Sequence, residues 1–451
     1  MIHKLKKIFN KNTPKSDTFR LIGNINWLAL DRIVRMGGGV FVNAAVSRYL
    51  GPESMGKWDT ALAFMGVYVV FSALGSERIL TRDLVDATEN KKSEILGTAA
   101  ITRIISSLVF SIICAFSILF LNTDDPEQVT VGIIISIGIF FQAADIITYF
   151  YQANLLSKRI VQTKTIAFIV SSVLKLILIY LNAELIAFAS TYLIEVGLSS
   201  ILLLRMYQKN ENRGIRSWTF SFIEAQKQLK EGGPLLISGL AYMIYVRADQ
   251  LMIGEMLTKT DVGVYSRAIK LYEIPMAIYG IFATTLFPKL TSLFKDDERR
   301  FMEGYKLSAT LMTFIAYLGV IVTWLVGQYV ILVLYGEQYS GAIKVLNVLM
   351  IGIVFLYNAG QRGNYLLLNG LYNIIIINAV LSAVLNIVLN YYLIPKYGIL
   401  GAAWASVITQ FFVLELSNLF FKGTRNIFYI QLKALFLIHI HRYIYQIKNK
   451  I

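Results

Sequence analysis

Residues 95–121 read ILGTAAITRIISSLVFSIICAFSILFL, an apolar stretch in which Arg103 is the only charged side chain. About 20 residues of α-helix cross the hydrocarbon core of a bilayer, so this stretch is long enough to span a membrane. Eleven other apolar stretches of comparable length occur along the chain. The twelve predicted spans lie near residues 23–49, 58–77, 95–121, 128–156, 162–181, 184–205, 233–256, 264–290, 306–333, 341–366, 371–394 and 399–421.

The overall composition points to the same class of protein. Of the 451 residues, 56% are hydrophobic and 16% are charged, whereas about 25% of the residues in a soluble domain are charged. The mean hydropathy is +0.58. So few charges would not cover the surface of a soluble protein of this size. The composition therefore excludes a soluble enzyme and a disordered chain, and it predicts an all-α integral membrane protein.

The charge distribution predicts how the chain is oriented. The 43 Lys and Arg residues outnumber the 28 Asp and Glu residues, which gives a net charge of +15. In a soluble protein this excess would suggest nucleic acid as a partner. In a membrane protein the basic segments mark the cytoplasmic side, and most of them share a side with the basic N-terminal arm. We therefore expect a multi-pass protein of the inner (cytoplasmic) membrane, with both termini cytoplasmic and no nucleic-acid partner.

The longest polar segment between spans, residues 207–232, divides the chain into six spans plus six. It contains residues 221–231, which we interpret as a short amphipathic helix on the inner surface. The loops on the external side are all short, which counts against a membrane glycosyltransferase or polymerase with an external catalytic domain. The predicted organisation is a cytoplasmic N-terminal arm (1–22), a first lobe (23–206), a cytoplasmic linker (207–232), a second lobe (233–421) and an interfacial tail (422–451).

A repeated motif relates the two halves. Residues 50–61 and residues 257–268 both follow the pattern Leu-x5-Gly-x-aromatic-x2-Ala, and each copy lies between the first and second spans of its half. Since both halves start on the same side, the repeats are parallel and would be related by an axis along the membrane normal. Transporters with a substrate site between two pseudo-symmetric lobes have this plan.

Several segments also carry a family likeness: residues 24–28 (NINWL), 48–53 (RYLGPE), 247–253 (RADQLMI), 262–268 (VGVYSRA) and 287–290 (FPKL). With these segments the chain resembles the polysaccharide transporter family, the lipid-linked oligosaccharide flippases for O-antigen, capsule and exopolysaccharide. That family shares a superfamily with the multidrug and toxin extruders (MATE) and the lipid II flippases.

The resemblance implies a MATE-like fold of two six-helix lobes and a transporter rather than an enzyme. Its substrate would be a glycan linked to undecaprenyl pyrophosphate, carried across the membrane by alternating access. The implied partners are membrane lipids, this glycan, a polysaccharide polymerase and a chain-length regulator.

Charged side chains at membrane depth are costly and are therefore candidates for function. Arg35 lies near the middle of the first span, and its guanidinium is well shaped to bind a pyrophosphate. Alternatively, Arg35 forms an i, i+4 ion pair with Asp31 on the same helix. For the cations of the second lobe the alternative is an ion pair with a carboxylate on another helix. Asp249 cannot neutralise Arg247 within one helix, because side chains at i and i+2 diverge. The candidate substrate-binding cations are Arg32, Arg35, Arg247, Arg267 and Lys270.

Two polar stripes follow one face of a predicted helix each, one stripe in each lobe. Lipid contact disfavours such faces, so they point either into a hydrated cavity or toward hydrogen bonds with neighbouring helices. Amides, hydroxyls and Tyr rings are also the groups that bind sugars. Their predicted sugar-binding residues are Gln142, Tyr149, Gln152, Asn358, Gln361, Arg362 and Tyr365.

Carboxylates at depth could bind H⁺ or Na⁺ as a coupling ion or could neutralise a cation. The candidates are Asp31, Asp145, Glu195 and Asp249. We expect no catalytic residue, no metal site and no cofactor other than such an ion, and the sequence has no P-loop. The leading hypothesis is thus a lipid-linked oligosaccharide flippase. The alternatives are an ion-coupled exporter of small molecules or drugs and, third, a membrane polymerase or glycosyltransferase.

Overall fold

The computed structural model describes residues 15–85, 87–121, 124–211 and 214–438. Over these residues the regular structure is helical throughout, and they contain no β-strand. The all-α prediction is therefore confirmed. The described helices of the first half are α1 (Lys15–Ala73), α2 (Glu77–Val85), α3 (Glu89–Leu121), α4 (Pro126–Phe141), α5 (Ile146–Ala153), α6 (Ser157–Tyr180) and α7 (Leu185–Asn210).

The second half continues this pattern with long helices and short breaks. They are α8 (Phe222–Met256), α9 (Lys259–Asp296), α10 (Glu298–Tyr335), α11 (Gly341–Asn358), α12 (Arg362–Leu368), α13 (Tyr372–Tyr397), α14 (Ile399–Gln410) and α15 (Arg425–Leu435). A π-helical turn, Phe411–Glu415, extends α14. Each predicted span thus falls on helical structure, and some spans are broken or fused.

Of the described helical segments, 8 are long and apolar enough to cross a membrane, or up to 9 when a bent pair is taken as one span. Neither α8 nor α9 is among them. α8 carries Arg247 and Asp249, and α9 carries Arg267 and Lys270. Charged side chains lower the mean hydropathy of a segment. Elsewhere large apolar side chains face outward; Phe120 is 76% exposed and Val333 is 70% exposed. Such surfaces suit lipid and would be unfavourable in water.

The described chain packs into two compact units. One comprises the residues up to Tyr49 together with Phe64–Gly239, and the other comprises Leu50–Ala63 together with the residues from Leu240 onward. The predicted lobes were drawn from hydropathy along the chain, whereas these units follow packing in space. The lobe boundaries at 23–206 and 233–421 therefore stay a prediction.

In the second unit the two copies of the repeated motif pack against each other. A Cβ atom on Gly56 would collide with the carbonyl of Lys259, and one on Gly263 would collide with the carbonyl of Pro52. Each glycine is therefore needed so that the backbone of the other copy can approach. The chain enters this contact through Gly51, whose φ of 78° breaks α1 into two helical parts just before Pro52.

In the first unit the predicted surface helix 221–231 is the beginning of α8, not a separate element. The helix continues through Gly232 and Gly233 because Gly232 packs closely on the backbone at Leu74 and Gly75. Ion pairs fix this end of α8: Lys227 Nζ lies 2.6 Å from the Asp83 carboxylate. That hydrogen bond raises the pKa of Lys227. The first turns of α8 thus belong to the compact first unit.

Candidate functional site

A cavity of about 180 Å³ lies within the first unit and brings together four residues that the sequence singled out. Three helices and a short turn supply its walls. It is lined by Arg35, Gln142, Asp145, Lys164, Ala167, Glu195, Val196, Ser199 and Ser200. Arg35, Gln142, Asp145 and Glu195 were predicted from three different spans, and the fold places all four around one space.

The carboxylates of this cavity are already paired with lysines of α6. Lys164 Nζ lies 3.0 Å from Asp145 Oδ1, and Lys175 Nζ lies 3.8 Å from Glu195 Oε2. Arg35 is half-buried and forms no ion pair with any carboxylate whose side chain the structure describes. Asp145 and Glu195 each lie near a lysine, so among the side chains that the structure describes Arg35 is the cation of this cavity that no carboxylate neutralises. The side chains of Asp31 and Arg32 lie outside the described residues.

A tight turn explains why only half of the first polar stripe reaches the cavity. Residues Gln142–Asp145 form a 3₁₀ turn between α4 and α5, and three residues per turn rotate the following side chains relative to an α-helix. Tyr149 is consequently buried, and its hydroxyl accepts a hydrogen bond from Arg103 Nη1 at 3.1 Å. Gln152 is half-buried and does not line the cavity. Sugar binding by Tyr149 and Gln152 stays a prediction.

The second unit contains a buried carboxylate surrounded by neutral donors. Asp249 is 4% exposed and accepts hydrogen bonds from Ser406 Oγ at 2.6 Å, from Asn390 Nδ2 at 2.7 Å and from the Tyr265 hydroxyl. Asn386 completes the group, since its Oδ1 accepts from Asn390 Nδ2 at 3.1 Å.

No Lys, Arg or His in the described part of the chain forms an ion pair with Asp249. An isolated buried charge is strongly unfavourable. A bound proton or a small cation would remove that cost, so this centre has the composition of a coupling-ion site. The oxygen atoms around Asp249 are also the ligand type that hard cations prefer.

Arg247, on the same helix, points away from Asp249, as its i, i+2 spacing predicts. Its Nη1 donates to Gln250 Oε1 at 3.0 Å, and Gln250 Nε2 donates to Ser266 Oγ at 2.9 Å. Arg247 is half-buried. Its predicted contact with substrate stays a prediction.

Arg267 is deeply buried in an ion pair. Its side chain is 2% exposed, its Nη2 contacts Asp59 Oδ2, and Asp59 is 5% exposed. The guanidinium also lies 6.0 Å from the centre of the Tyr335 ring. The interhelical ion pair, which the sequence left as the alternative, is thus the arrangement in this structure. Lys270, one turn later, is more exposed and lies 3.4 Å from Glu273.

The second polar stripe uses its polar atoms within the protein. Asn358 Nδ2 donates to Glu415 Oε1 at 3.0 Å, and Arg362 Nε donates to Asn418 Oδ1 at 2.6 Å. The Tyr365 hydroxyl donates to the Gly423 carbonyl at 3.0 Å, and Gln361 accepts from Asn364. These contacts join α11 and α12 to the π-helical turn after α14 and to the segment that follows this turn. Sugar binding by this stripe stays a prediction, and it would require these bonds to open.

The sequence reasoning missed several residues of these centres. Asp59 was missed because it is the second residue of the predicted span 58–77, where a charged side chain is expected to reach the membrane surface. Asn386, Asn390 and Ser406 were missed although the two asparagines are spaced i, i+4 in a predominantly apolar helix. The stripe criterion that found Gln142 would have found this pair.

The described residues contain no group of three or more His, Cys, Asp or Glu side chains that could hold a metal ion.

A family model described as "Polysaccharide biosynthesis protein" matches residues 45–344. The chain belongs to this family. It is therefore a multi-pass membrane transport protein of polysaccharide biosynthesis and not an enzyme, as the sequence predicted. The matched region contains Asp59, Asp249, Arg267 and most of the cavity in the first unit.

Two curated proteins are similar to this chain over most of its length. The chain is 22% identical to the capsular polysaccharide biosynthesis protein CapF of Staphylococcus aureus, over 89% of this chain and 99% of the relative. It is 24% identical to a putative O-antigen transporter of Shigella flexneri, over 79% of this chain and 87% of the relative.

Among solved structures, an inward-facing multidrug resistance MATE transporter of the MOP superfamily matches with a TM-score of 0.72 and 16% identity, covering 90% of this chain and 99% of that chain. The lipid II flippase MurJ, in an inward closed conformation, matches with a TM-score of 0.71 and 17% identity, covering 92% of this chain and 93% of that chain. The polysaccharide biosynthesis protein thus has the MATE-like fold.

Proposed function

We propose that this protein is a flippase that moves a lipid-linked oligosaccharide across the cytoplasmic membrane. The observation that carries the proposal is the cavity of the first unit, where Arg35 lies beside Gln142, Lys164 and Ser199. The Arg35 guanidinium can hold an anionic headgroup, while an amide and hydroxyls suit a sugar. The Shigella flexneri relative named as an O-antigen transporter supports the same substrate class.

The carrier is undecaprenyl pyrophosphate, whose diphosphate pairs with Arg35 by charge-assisted, bidentate hydrogen bonds. Transport proceeds by alternating access between two conformations, each open to one side of the membrane. A polysaccharide polymerase and a chain-length regulator act on the glycan after it has crossed.

The Asp249 centre supplies the coupling-ion site of this proposal. Asp249, Asn390 and Ser406 take up H⁺ or Na⁺, and the ion gradient then biases the conformational equilibrium. Asp145 and Glu195 are paired with lysines and serve instead to shape the cavity.

The distribution of basic residues supports an orientation with both termini in the cytoplasm of the cell. The Arg35 cavity then lies within a unit that has a basic connection on that side, at Lys158 and Arg159. Entry of an anionic headgroup from the cytoplasmic leaflet is favoured by this charge.

A second candidate is an ion-coupled exporter of small molecules. The buried carboxylate Asp249 favours it, because one dominant carboxylate is a sufficient coupling site. Arg35 counts against it for cationic drugs, since a guanidinium in the cavity repels them. The two candidates are separated by substrate: the exporter transports a free small molecule, and the flippase requires the lipid-linked glycan.

The proposal predicts that Arg35→Ala abolishes export of the envelope polysaccharide in cells while the protein still inserts normally. Arg35→Lys should recover only part of the export, because an ammonium cannot form the bidentate contact. The measurement is surface polysaccharide together with the pool of lipid-linked repeat units, which should rise in the Arg35→Ala strain. Arg205→Ala, an exposed arginine on α7, is the matched control and should export like the wild type. Wild-type export from Arg35→Ala would contradict the proposal.

A further inference from the structure

A second cavity, of about 310 Å³, lies on the second unit between α10 and α15. It is separate from the Asp249 centre and from the Arg35 cavity, and none of its lining residues takes part in the function proposed above. One wall comes from Lys306 and Thr310 of α10, and the other comes from Asn426, Tyr429 and Lys433 of α15.

The polar lining is cationic. Lys306 and Lys433 are both exposed, and neither forms an ion pair with a carboxylate among the residues that the structure describes. No Asp or Glu lines the cavity. Asn426 and Tyr429 add an amide and a hydroxyl that can donate hydrogen bonds. Two ammonium groups and two neutral donors that line one cavity are complementary to a phosphate group.

The cavity lies where the protein passes from water into lipid. Lys306 is the last charged residue of α10, and residues 307–335 contain no Asp, Glu, Lys or Arg. At 1.5 Å per residue this uncharged run is long enough to cross the hydrocarbon core. Lys306 therefore marks the level of the lipid headgroups.

The opposite wall has the character of an interfacial helix. α15 buries Ile427, Ile430 and Ala434 against the protein, while Tyr429 is 54% exposed and Leu432 is 39% exposed. A helix with basic and apolar exposed side chains lies in the boundary between headgroups and acyl chains. A ligand in this cavity would thus have its phosphate between the lysines and apolar chains beside Tyr429 and Leu432.

We propose that the cavity between α10 and α15 binds the phosphate of an anionic membrane phospholipid and that this lipid fastens α15 to α10. The site lies at the level of the lipid headgroups, which favours a lipid over a soluble phosphate. Basic pockets between transmembrane helices bind anionic lipid headgroups in the same way. The proposal is independent of the flippase function, because it concerns a lipid that stays bound and is not transported.

The test uses the purified full-length protein in neutral detergent, with phosphatidylglycerol, phosphatidylcholine of the same acyl chains, or inorganic phosphate as the added probe. Phosphatidylglycerol should raise the Tm of the wild type and should remain bound in native mass spectrometry, whereas phosphatidylcholine should do neither. The variant Lys306→Gln/Lys433→Gln should bind phosphatidylglycerol about thirtyfold more weakly, because each lysine contributes about fivefold to attraction of an anionic lipid.

The control is Arg299→Gln/Lys422→Gln, which removes two positive charges from exposed positions outside the cavity and should keep wild-type binding. If the double lysine variant does not give monodisperse protein, the single variants are measured instead, each with an expected loss of about fivefold. Equal effects of the two lipids, or an equal loss in the control, would overturn the proposal. A Tm rise with inorganic phosphate alone would identify a free phosphate as the ligand and would also overturn it.

Discussion

Arg267→Ala is expected to remove most of the correctly folded protein. Arg267 and Asp59 are 2% and 5% exposed and form an ion pair with each other, so the substitution would leave the Asp59 carboxylate buried beside no cation. Breaking a buried pair in this way costs about 3–5 kcal/mol, a large part of the roughly 5–15 kcal/mol that stabilises a typical protein. The readout is the yield of monodisperse protein and its Tm in detergent.

The same experiment separates an ion pair from a substrate contact. Asp59→Ala/Arg267→Ala should be more stable than Arg267→Ala, because removing both charges leaves neither one buried alone. Lys270→Ala, one turn along α9, is the control; its pair with Glu273 is half-exposed and should contribute less than about 1 kcal/mol. If Arg267→Ala has the wild-type Tm and loses only transport, Arg267 acts on substrate instead of stabilising the fold.

The second large effect is expected at Asp249. Asp249→Asn removes the negative charge and retains a side chain of the same size among Ser406, Asn390 and Tyr265. The protein should therefore fold at least as well as the wild type, since a buried unpaired carboxylate is itself costly. Transport should lose its response to an imposed H⁺ or Na⁺ gradient, with a fall of at least about fivefold, the lower end of typical coupling between two sites.

The measurement is the initial transport rate in proteoliposomes with the two gradients imposed separately. Glu255→Gln makes the same chemical change at an exposed position of α8 and should keep the wild-type gradient dependence. A wild-type response in Asp249→Asn would remove Asp249 from the coupling mechanism.

Much of the fold follows from the sequence because bilayer thickness imposes a length on every apolar helix. Each predicted span falls on helical structure, and the repeat that contains Gly56 and Gly263 is visible in the sequence. The reason for the motif is visible only in the structure, where each glycine admits the backbone of the other copy. The continuity of α8 through Gly232 was not predicted, because it depends on the close packing of Gly232 against the backbone at Leu74 and Gly75.

The candidate sites were predicted less completely, and the reasons are physical. Helical periodicity identifies which side chains share a face, so Gln142 and Asp145 were correctly grouped. It cannot detect a 3₁₀ turn that redirects Tyr149 toward Arg103, since no single residue in Gln142–Asp145 forces that turn. Nor can it pair Arg267 with Asp59, which lies 208 positions away in the sequence. The repeat relates the two residues, because Asp59 follows Gly56 in one copy and Arg267 follows Gly263 in the other. The contact between the two copies, which brings these residues together, is visible only in the structure.

A flippase moves a lipid-linked oligosaccharide from one leaflet to the other, and this can be measured in liposomes. The purified protein is reconstituted in liposomes that contain such a lipid in both leaflets, with its glycan labelled, and a membrane-impermeant glycan-cleaving reagent is added outside. Only the outer-leaflet glycan should react in empty liposomes and in Arg35→Ala liposomes, whereas nearly all of the labelled glycan should react with the wild-type protein. A wild-type protein that leaves the inner-leaflet glycan protected, alters its chain length or releases the carrier is not a flippase of this kind.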